Sequence, residues 1–213
     1  MKAMKTQNLS LIMLAVLFSF CKSHTNKVQE SNADTGTKTR LYLDVHNLEP
    51  GKVKFSDVEA AHQKDLATQG KYGVNFIKYW VDEIGGKVYC LVESPDSASV
   101  SQTHKVAHGL IPDFVHFVSD GMEADGKSSQ DLYLDIHELG PGNVTEEAVA
   151  EAHLKDLAVQ GKYNVNFINY WVDEKAGKVV CLSNADNSNS VVSTHKEAHG
   201  LLPTEIHRVK QGQ

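Results

Sequence analysis

The sequence contains no run of lysine and arginine residues. Its 27 acidic residues outnumber its 21 basic ones, which gives a formal net charge of −6 and an isoelectric point near 6.0. Nucleic-acid-binding proteins concentrate positive charge on one face, so this composition argues against a nucleic-acid partner. Cysteine is scarce, with three among 213 residues. No arrangement of serine, lysine or paired carboxylates stands out as catalytic.

The sequence also lacks an apolar stretch long enough to cross a bilayer comfortably. Residues 9–20 form an apolar run of only about a dozen residues, against the ~20 that a spanning helix needs. This run follows a short basic start and has the layout of a secretory signal. It ends at Phe18-Ser19-Phe20-Cys21, which resembles the lipobox of bacterial lipoproteins, although the residue before the cysteine is usually smaller than Phe20. That resemblance implies that Cys21 is the lipidation site.

We therefore expect residues 1–21 to be a signal peptide with a lipobox-like end. Residues 22–40 are polar and contain no aromatic residue, which predicts a flexible tether. The protein would then be exported and held at a membrane by its N-terminal lipid, as a cell-envelope lipoprotein of the periplasm or the outer surface. Ordinary cleaved export and an uncleaved anchor are the alternatives, and the sequence does not say which membrane face holds the anchor.

The rest of the chain is an internal duplication. At an offset of 91 residues, residues 41–118 match residues 132–209 without a gap. About six positions in ten are identical, which indicates two copies of one domain. We call them repeat 1 (41–118) and repeat 2 (132–209). The polar residues 119–131 between them are predicted to be a linker.

Each repeat shows the pattern strand, helix, strand, strand, helix, strand. The first strand alternates between polar and apolar side chains, as a half-buried strand does, and Gly85-Gly86 is typical of a hairpin between the second and third. The predicted elements of repeat 1 are strands at residues 41–46, 74–82, 87–93 and 113–119, with helices from the N-cap Ser56 to about Gln69 and from Asp96 or Ser97 to Gly109.

This order is that of the ferredoxin-like unit, an antiparallel sheet with both helices on one face. The fold class is therefore α+β, with two tandem ferredoxin-like (βαββαβ) domains. A bare apolar sheet face needs a partner. We expect the two repeats to pack sheet to sheet as a pseudo-dimeric α+β barrel.

Ten of the eleven histidines fall at five matched positions of the two repeats. His104 and His108 lie four residues apart just before a glycine, which places both imidazoles on one face of a last helical turn. Histidines on a random surface would not stay in register while about four positions in ten changed. The pairs are His46 and His137, His62 and His153, His104 and His195, His108 and His199, and His116 and His207.

Imidazole and thiolate groups suit zinc, copper, nickel or iron rather than calcium or magnesium. Asp44 shares a strand face with His46 and would orient it or ligate directly, and His62 shares a helix face with Asp65. We expect the polar face of the first strand to avoid the helix-packed core. The candidate metal ligands are His46, His62, Cys90, His104, His108, His137, His153, Cys181, His195 and His199, supported by the carboxylates Asp44, Asp65, Asp135 and Asp156.

Each candidate has an ordinary structural alternative. The histidine pairs could be solvated helix ends, where cations interact favourably with the helix dipole. Cys90 and Cys181 could be small buried hydrophobes, or could join the two repeats through a disulfide bond. His116 is the weakest candidate because it could simply face water. Asp82 and Asp173, which precede turns, are expected to be solvated.

Together these residues resemble a family of small bacterial nickel-binding, ferredoxin-like proteins, formerly catalogued as a domain of unknown function. The resemblance covers nearly all of both repeats. It implies a ferredoxin-like fold that dimerises, nickel or a similar divalent transition metal as cofactor, and no established catalytic activity. The fusion and the export signal depart from the family's usual single domain. The motifs that carry the resemblance to this family are Asp44-x-His46, Ala61-His62-x-x-Asp65-Leu66, Tyr79-Trp80, Cys90-Leu91 and His104-x-x-Ala107-His108-Gly109.

The sequence is compatible with three functions. The leading one is an exported protein that binds a divalent transition metal, nickel above others, through sites in each repeat for buffering, sequestration or sensing. The second is a metal-dependent enzyme of the dimeric α+β barrel type, in which an open coordination position activates water or oxygen. The third is a cell-surface interaction module without metal. The sequence leaves open the physiological metal, the coordination number and whether each site lies within one repeat or between repeats.

Overall fold

A computed structural model describes residues 38–127 and 129–213 of the protein. The predicted signal peptide, the lipidation site Cys21 and residues 22–37 of the tether lie outside the described residues. Each repeat has the predicted order of strands and helices. None of the described helices has the length and apolar character needed to cross a bilayer.

The two repeats contain matching elements. Those of repeat 1 are β1 (Arg40–Asn47), α1 (Phe55–Thr68), β2 (Asn75–Asp82), β3 (Lys87–Ser94), α2 (Ser97–Ala107) and β4 (Phe114–Phe117), followed by a short strand β5 (Ser119–Asp120). Those of repeat 2 are β6 (Asp131–Glu138), α3 (Glu146–Val159), β7 (Asn166–Asp173), β8 (Lys178–Ala185), α4 (Ser188–Ala198) and β9 (Glu205–Gly212). A 3₁₀ turn follows α1 at Gln69–Tyr72 and α3 at Gln160–Tyr163.

Side-chain carboxylates fix where the helices of repeat 1 begin. Asp96 accepts a hydrogen bond of 2.7 Å from a first-turn backbone N–H of α2, as the sequence predicts. At α1, Asp57 accepts from the backbone N–H of Lys54 at 3.1 Å. The helix therefore begins directly after Lys54, and the prediction of Ser56 as its N-cap is wrong, because the carboxylate of Asp57 accepts from the backbone of Lys54, two residues before Ser56.

The strands form a closed barrel. All strand pairs are antiparallel, and their order is β4-β1-β3-β2-β9-β6-β8-β7-β5. The two ends of this order, β4 and β5, are separated along the chain only by Val118, so the sheet closes on itself. The last strand of each repeat pairs with strands of both repeats. At the end of repeat 1, β4 pairs with β1 and its continuation β5 pairs with β7. At the end of repeat 2, β9 pairs with both β6 and β2. The pseudo-dimeric barrel is confirmed, and the predicted linker begins with a strand of it.

Apolar side chains from both repeats fill the barrel. The rings of Trp80 and Trp171 meet there with their centroids 5.1 Å apart. Separating the repeats would expose this core to water, so the two repeats stabilise each other. The core consists of Leu43, Val45, Trp80, Tyr89, Leu91 and Val118 from repeat 1 and Leu134, Ile136, Trp171, Val180, Leu182 and Val209 from repeat 2.

The other face of each sheet packs against the helices and carries the polar strand residues. Tyr42 belongs to the core under α1, with Val58 and Leu66, and Asp44 follows it on the same face and is fully buried. The expectation that the polar face of β1 avoids the helix-packed core is therefore wrong. The apolar face of β1 points into the barrel, so its polar face packs against the helices.

Two hydrogen-bonded histidine–aspartate pairs join the repeats. Nδ1 of His116 lies 2.9 Å from Oδ2 of Asp173, and Nδ1 of His207 lies 2.9 Å from Oδ2 of Asp82. Barrel closure brings the last strand of each repeat against the hairpin of the other. Both aspartates are buried, so the expectation that they are solvated is wrong, and His116 faces a carboxylate rather than water.

Candidate metal centre

A buried polar cluster in repeat 1 is centred on His104. Its Nε2 lies 3.1 Å from Oδ2 of Asp44, and its Nδ1 lies 3.0 Å from Oδ1 of Asp65. These three side chains come from α2, β1 and α1, and are 1%, 0% and 3% exposed, respectively. A ring nitrogen donates to a carboxylate only when it carries a proton. An imidazole flanked by two carboxylates is therefore in the environment of an imidazolium.

The second histidine of the pair reaches the same carboxylate. Nε2 of His108 lies 3.1 Å from Nδ1 of His104 and 3.2 Å from Oδ2 of Asp65. The helix α2 ends just before His108, and Gly109 adopts a φ of +87°. This left-handed conformation favours glycine and ends the helix directly behind the pair.

His46 and Cys90 complete the cluster on its β-sheet side. Nε2 of His46 lies 3.3 Å from Oδ1 of Asp44, and Cys90 is the partner of Asp44 across the β1–β3 ladder. Possible donor atoms of Asp44, His46, Cys90 and His104 all lie within 4.8 Å of one another, and so do those of Asp65, His104 and His108. Because His104 belongs to both groups, the cluster is continuous.

Repeat 2 reproduces the histidine–carboxylate contacts of this arrangement, although His195 does not belong to the donor group of Cys181. His195 lies 3.1 Å from Asp135 through Nε2 and 3.0 Å from Asp156 through Nδ1. Nε2 of His199 lies 3.2 Å from Oδ1 of Asp156. Each cluster is therefore complete within one repeat. The groups of neighbouring donor atoms are Asp135, His137 and Cys181, and Asp156, His195 and His199.

His62 and His153 lie beside the clusters and not in them. The ring of His62 packs against Tyr79, with centroids 4.7 Å apart, and its Nε2 is buried without a hydrogen-bond partner among the described residues. Burial lowers the pKa of His62, which favours its neutral form. Small cavities of about 80 Å³ in repeat 1 and 110 Å³ in repeat 2 lie between these histidines and the clusters.

The carboxylates determine the charge of the central histidine. Burial lowers the pKa of His104, but the hydrogen bonds and charges of Asp44 and Asp65 outweigh burial and raise it to about 10. The same balance raises the pKa of His195 to about 10. Burial raises the pKa of Asp44, but its hydrogen bonds with His104 and His46 hold it well below the ordinary range. At neutral pH, His104 is therefore a cation between two carboxylates.

The cysteines are neutral thiols. Burial, together with the charges of Asp44 and Asp65, raises the pKa of Cys90 well above its ordinary value, and burial does the same for Cys181. Both cysteines are free, and each lies in the helix-side core of its own repeat. The disulfide bond between the repeats, left open by the sequence, is therefore not formed.

The cluster fits a divalent transition metal. Oδ1 of Asp135 is buried and has no hydrogen-bond partner among the described residues, and Oδ1 of Asp44 and of Asp65 each face one histidine nitrogen, at 3.3 and 3.0 Å, without full hydrogen-bond geometry. Leaving a charged oxygen buried in this way is costly, and a metal cation would satisfy it. Ions with bonds of about 2.0–2.3 Å need donors no more than ~4.6 Å apart, close to the 4.8 Å within which these groups lie.

Fold and clusters together define the class of this protein. It is a one-chain α+β barrel with a buried His/Asp/Cys cluster, suited to a metal ion, in each repeat. The family model described as nickel-responsive protein SCO4226-like matches residues 42–118 and 133–209. The chain belongs to this family and contains two copies of its domain.

Several solved structures are similar to the chain. SCO4226 from Streptomyces coelicolor A3(2) is 33% identical over 38% of this chain and 99% of that one, with a TM-score of 0.36. A putative monooxygenase from Lactobacillus acidophilus NCFM is 7% identical over 81% of this chain and 93% of that one, with a TM-score of 0.44. A mutant chlorite dismutase from Candidatus Nitrospira defluvii is 10% identical over 82% and 91%, with a TM-score of 0.42. No curated protein sequence matches the chain.

Sequence reasoning missed the main role of one carboxylate. It placed Asp44 beside His46, whereas the structure also places it against His104, which is 60 positions away. Spacing along the chain cannot reveal that contact. The sequence does contain one indication of this contact. Both residues are retained in repeat 2, where Asp135 matches Asp44 and His195 matches His104.

Proposed function

We propose that each repeat binds one divalent transition-metal ion, with nickel the preferred metal, and that the protein buffers, sequesters or senses it. The observation that carries this proposal is the buried Asp44–His104–Asp65 arrangement and its copy in repeat 2. Two carboxylates there surround a cationic imidazole, so a divalent cation that displaced the proton would meet charge of the opposite sign. Membership of the nickel-responsive family supports the choice of metal.

His104, His108 and Asp65 are the proposed ligands in repeat 1. They supply two imidazoles and one carboxylate within 4.8 Å of one another, and none of them requires the deprotonation of a buried thiol. Asp44 lies at the other ring nitrogen of His104 and would fix its tautomer and orientation, as carboxylates beside metal-bound histidines commonly do. A second ion on the side of Cys90 would require His104 to lose both ring protons, so we expect one ion per repeat.

We further propose that the protein works outside the cytoplasm, held at a membrane through Cys21. The support for this is the pattern of residues 1–21, a basic start and a short apolar run that ends in a lipobox-like sequence. Mass spectrometry of the protein purified from membranes of its host would test it. A lipid-modified N-terminal Cys21 is expected, and an unmodified chain that begins at Met1 would contradict the proposal.

Calorimetric titration of the full chain with nickel chloride tests the metal proposal. We expect two ions per chain, and one ion per chain in His104→Ala/His108→Ala and in the matching His195→Ala/His199→Ala, because each pair lies within one repeat. Lys105→Ala changes an exposed side chain of α2 and should keep two ions. No binding tighter than micromolar under reducing conditions at neutral pH, or two ions in either double variant, would refute the proposal.

A further inference from the structure

One end of the barrel contains a cavity of about 1100 Å³ that shares no lining residue with the metal clusters. Leucines of both repeats and the indoles of Trp80 and Trp171 line its apolar part, and Asp120, residues 123–127 and Gln130 contribute to its rim. Small-molecule sites are clefts of about 300–1,000 Å³ with mostly apolar walls and a few placed polar groups. The volume of the cavity lies slightly above this range, and its lining is more polar than that of a typical site, with an apolar part formed largely by the leucines and the two indoles.

The two tryptophans differ in their hydrogen bonding. Nε1 of Trp80 donates to Oε1 of Gln211 at 2.9 Å, across the β2–β9 ladder. The residue opposite Trp171 is Asp120, which matches Gln211 at the offset of 91 residues. Its shorter side chain instead accepts from Nδ2 of Asn169 at 2.9 Å.

Trp171 is thus a buried donor without an acceptor. Its side chain lines the cavity and is 2% exposed, and its Nε1 has no hydrogen-bond partner among the described residues. Buried indole N–H groups usually find a partner, and one left unpaired is costly. Oε1 of Gln130, another lining residue, is a buried acceptor that also lacks a partner among the described residues. Both atoms belong to lining residues but are themselves shielded from solvent, so a ligand meets this donor and this acceptor only when the side chains that line the cavity shift.

The charges at the rim restrict the ligand further. Lys78 is already paired with Glu123, with Nζ and Oε1 3.0 Å apart. An anionic ligand would meet an excess of negative charge. The charged lining residues are Glu93, Asp120, Glu123, Asp125, Lys78 and Lys127.

We infer that this cavity binds a planar aromatic molecule that carries no negative charge and presents a carbonyl or hydroxyl oxygen to Nε1 of Trp171. The indole rings favour an aromatic partner, since their faces and edges pack well against another ring. The carbonyl or hydroxyl oxygen of the ligand accepts a hydrogen bond from Nε1 of Trp171. A hydroxyl group of the ligand can donate to Oε1 of Gln130. This inference does not depend on metal binding by either cluster.

Two probes with the same ring skeleton test the inference. 1-Indanone carries a carbonyl oxygen and indane does not, and the full chain has only two tryptophans, so two indole N–H signals in a ¹H–¹⁵N NMR spectrum report on the site. We expect 1-indanone to bind saturably and to shift the signal of Trp171 more than that of Trp80. Its affinity should exceed that of indane about tenfold, the effect of one net hydrogen bond.

Two variants act on the N–H group in different ways. Asp120→Gln, at an exposed position, gives Trp171 the acceptor that Gln211 gives Trp80, and Trp171→Phe removes the donor. Both should abolish the preference for 1-indanone, whereas Trp80→Phe should retain it. The inference is overturned if neither probe saturates at millimolar concentration, if the signal of Trp80 moves instead, or if Asp120→Gln keeps the full preference. Nickel titration of the same samples tells such a failure apart from a failure of the metal proposal.

Discussion

The substitution Asp44→Asn separates the charge of the buried cluster from its packing. Asp44 is fully buried, and its oxygens lie 3.1 Å from Nε2 of His104 and 3.3 Å from Nε2 of His46. Asparagine keeps the shape of the side chain and removes its charge. Loss of one partner from a buried ion pair typically costs about 3–5 kcal/mol. Since Asp65 still pairs with His104, we expect the lower end of that range, about 3 kcal/mol.

Urea unfolding of the metal-free full chain at pH 6 measures this loss. The midpoint should fall without a change in the denaturant slope, because the surface exposed on unfolding stays the same. Asp135→Asn, the matching change in repeat 2, should cost a similar amount. In nickel titrations of Asp44→Asn, one of two sites should weaken about 10–100-fold, since Asp44 is proposed to orient a ligand. Unchanged stability together with two equal sites would refute the assigned role of Asp44.

Three further predictions concern protons and packing. Because the folded pKa of His104 is raised from 6.5 to about 10, its contribution to stability is complete below pH 6.5 and is lost as the pH rises towards 10. The urea midpoint of the metal-free protein should fall across that interval, and a flat profile would contradict the pairing. Nickel binding at pH 7 should release protons, because His104 must lose one to become a ligand. Calorimetry in buffers of different ionisation enthalpy measures the number of protons released. A value of zero would exclude His104 as a ligand. Leu134→Ala, in the barrel core, should cost about 2–5 kcal/mol and lower the midpoint of one transition for the whole chain, whereas two separate transitions would show that the repeats unfold independently.

Much of the fold could be predicted because the duplication presents every signal twice. The alternation of residues 41–46 and the Gly85-Gly86 hairpin define the antiparallel unit, and its bare sheet face requires a partner. The layer that covers each face could not be predicted. Leu43 and Val45 are apolar whether helices or a second sheet lie above them, so periodicity separates the faces of β1 without assigning them. Closure of the barrel determines which face of β1 points into the barrel and which packs against the helices.

The candidate site was predictable where its residues are close along the chain. The spacing of His104 and His108 places them together, and both approach Asp65 as one group. His62 shares a helix face with Asp65, but its ring packs against Tyr79 and stays out of the donor groups. A difference of three positions fixes a shared face and not the direction in which each side chain extends.

The histidine–aspartate pairs between the repeats could not have been predicted from the local sequence. Asp82 precedes a turn and accepts from the turn backbone, at Ile84 and Gly85, as residues in that position often do. Its second oxygen meets His207, which lies 125 positions away. That contact exists because β9 crosses from repeat 2 to pair with β2.

Crystals of the full chain grown with nickel, measured at the nickel absorption edge, give the most direct test of the central claim. The account predicts two anomalous peaks, one at His104, His108 and Asp65 and one at His195, His199 and Asp156. A single ion shared between the repeats, or ions held only by exposed residues, would contradict it.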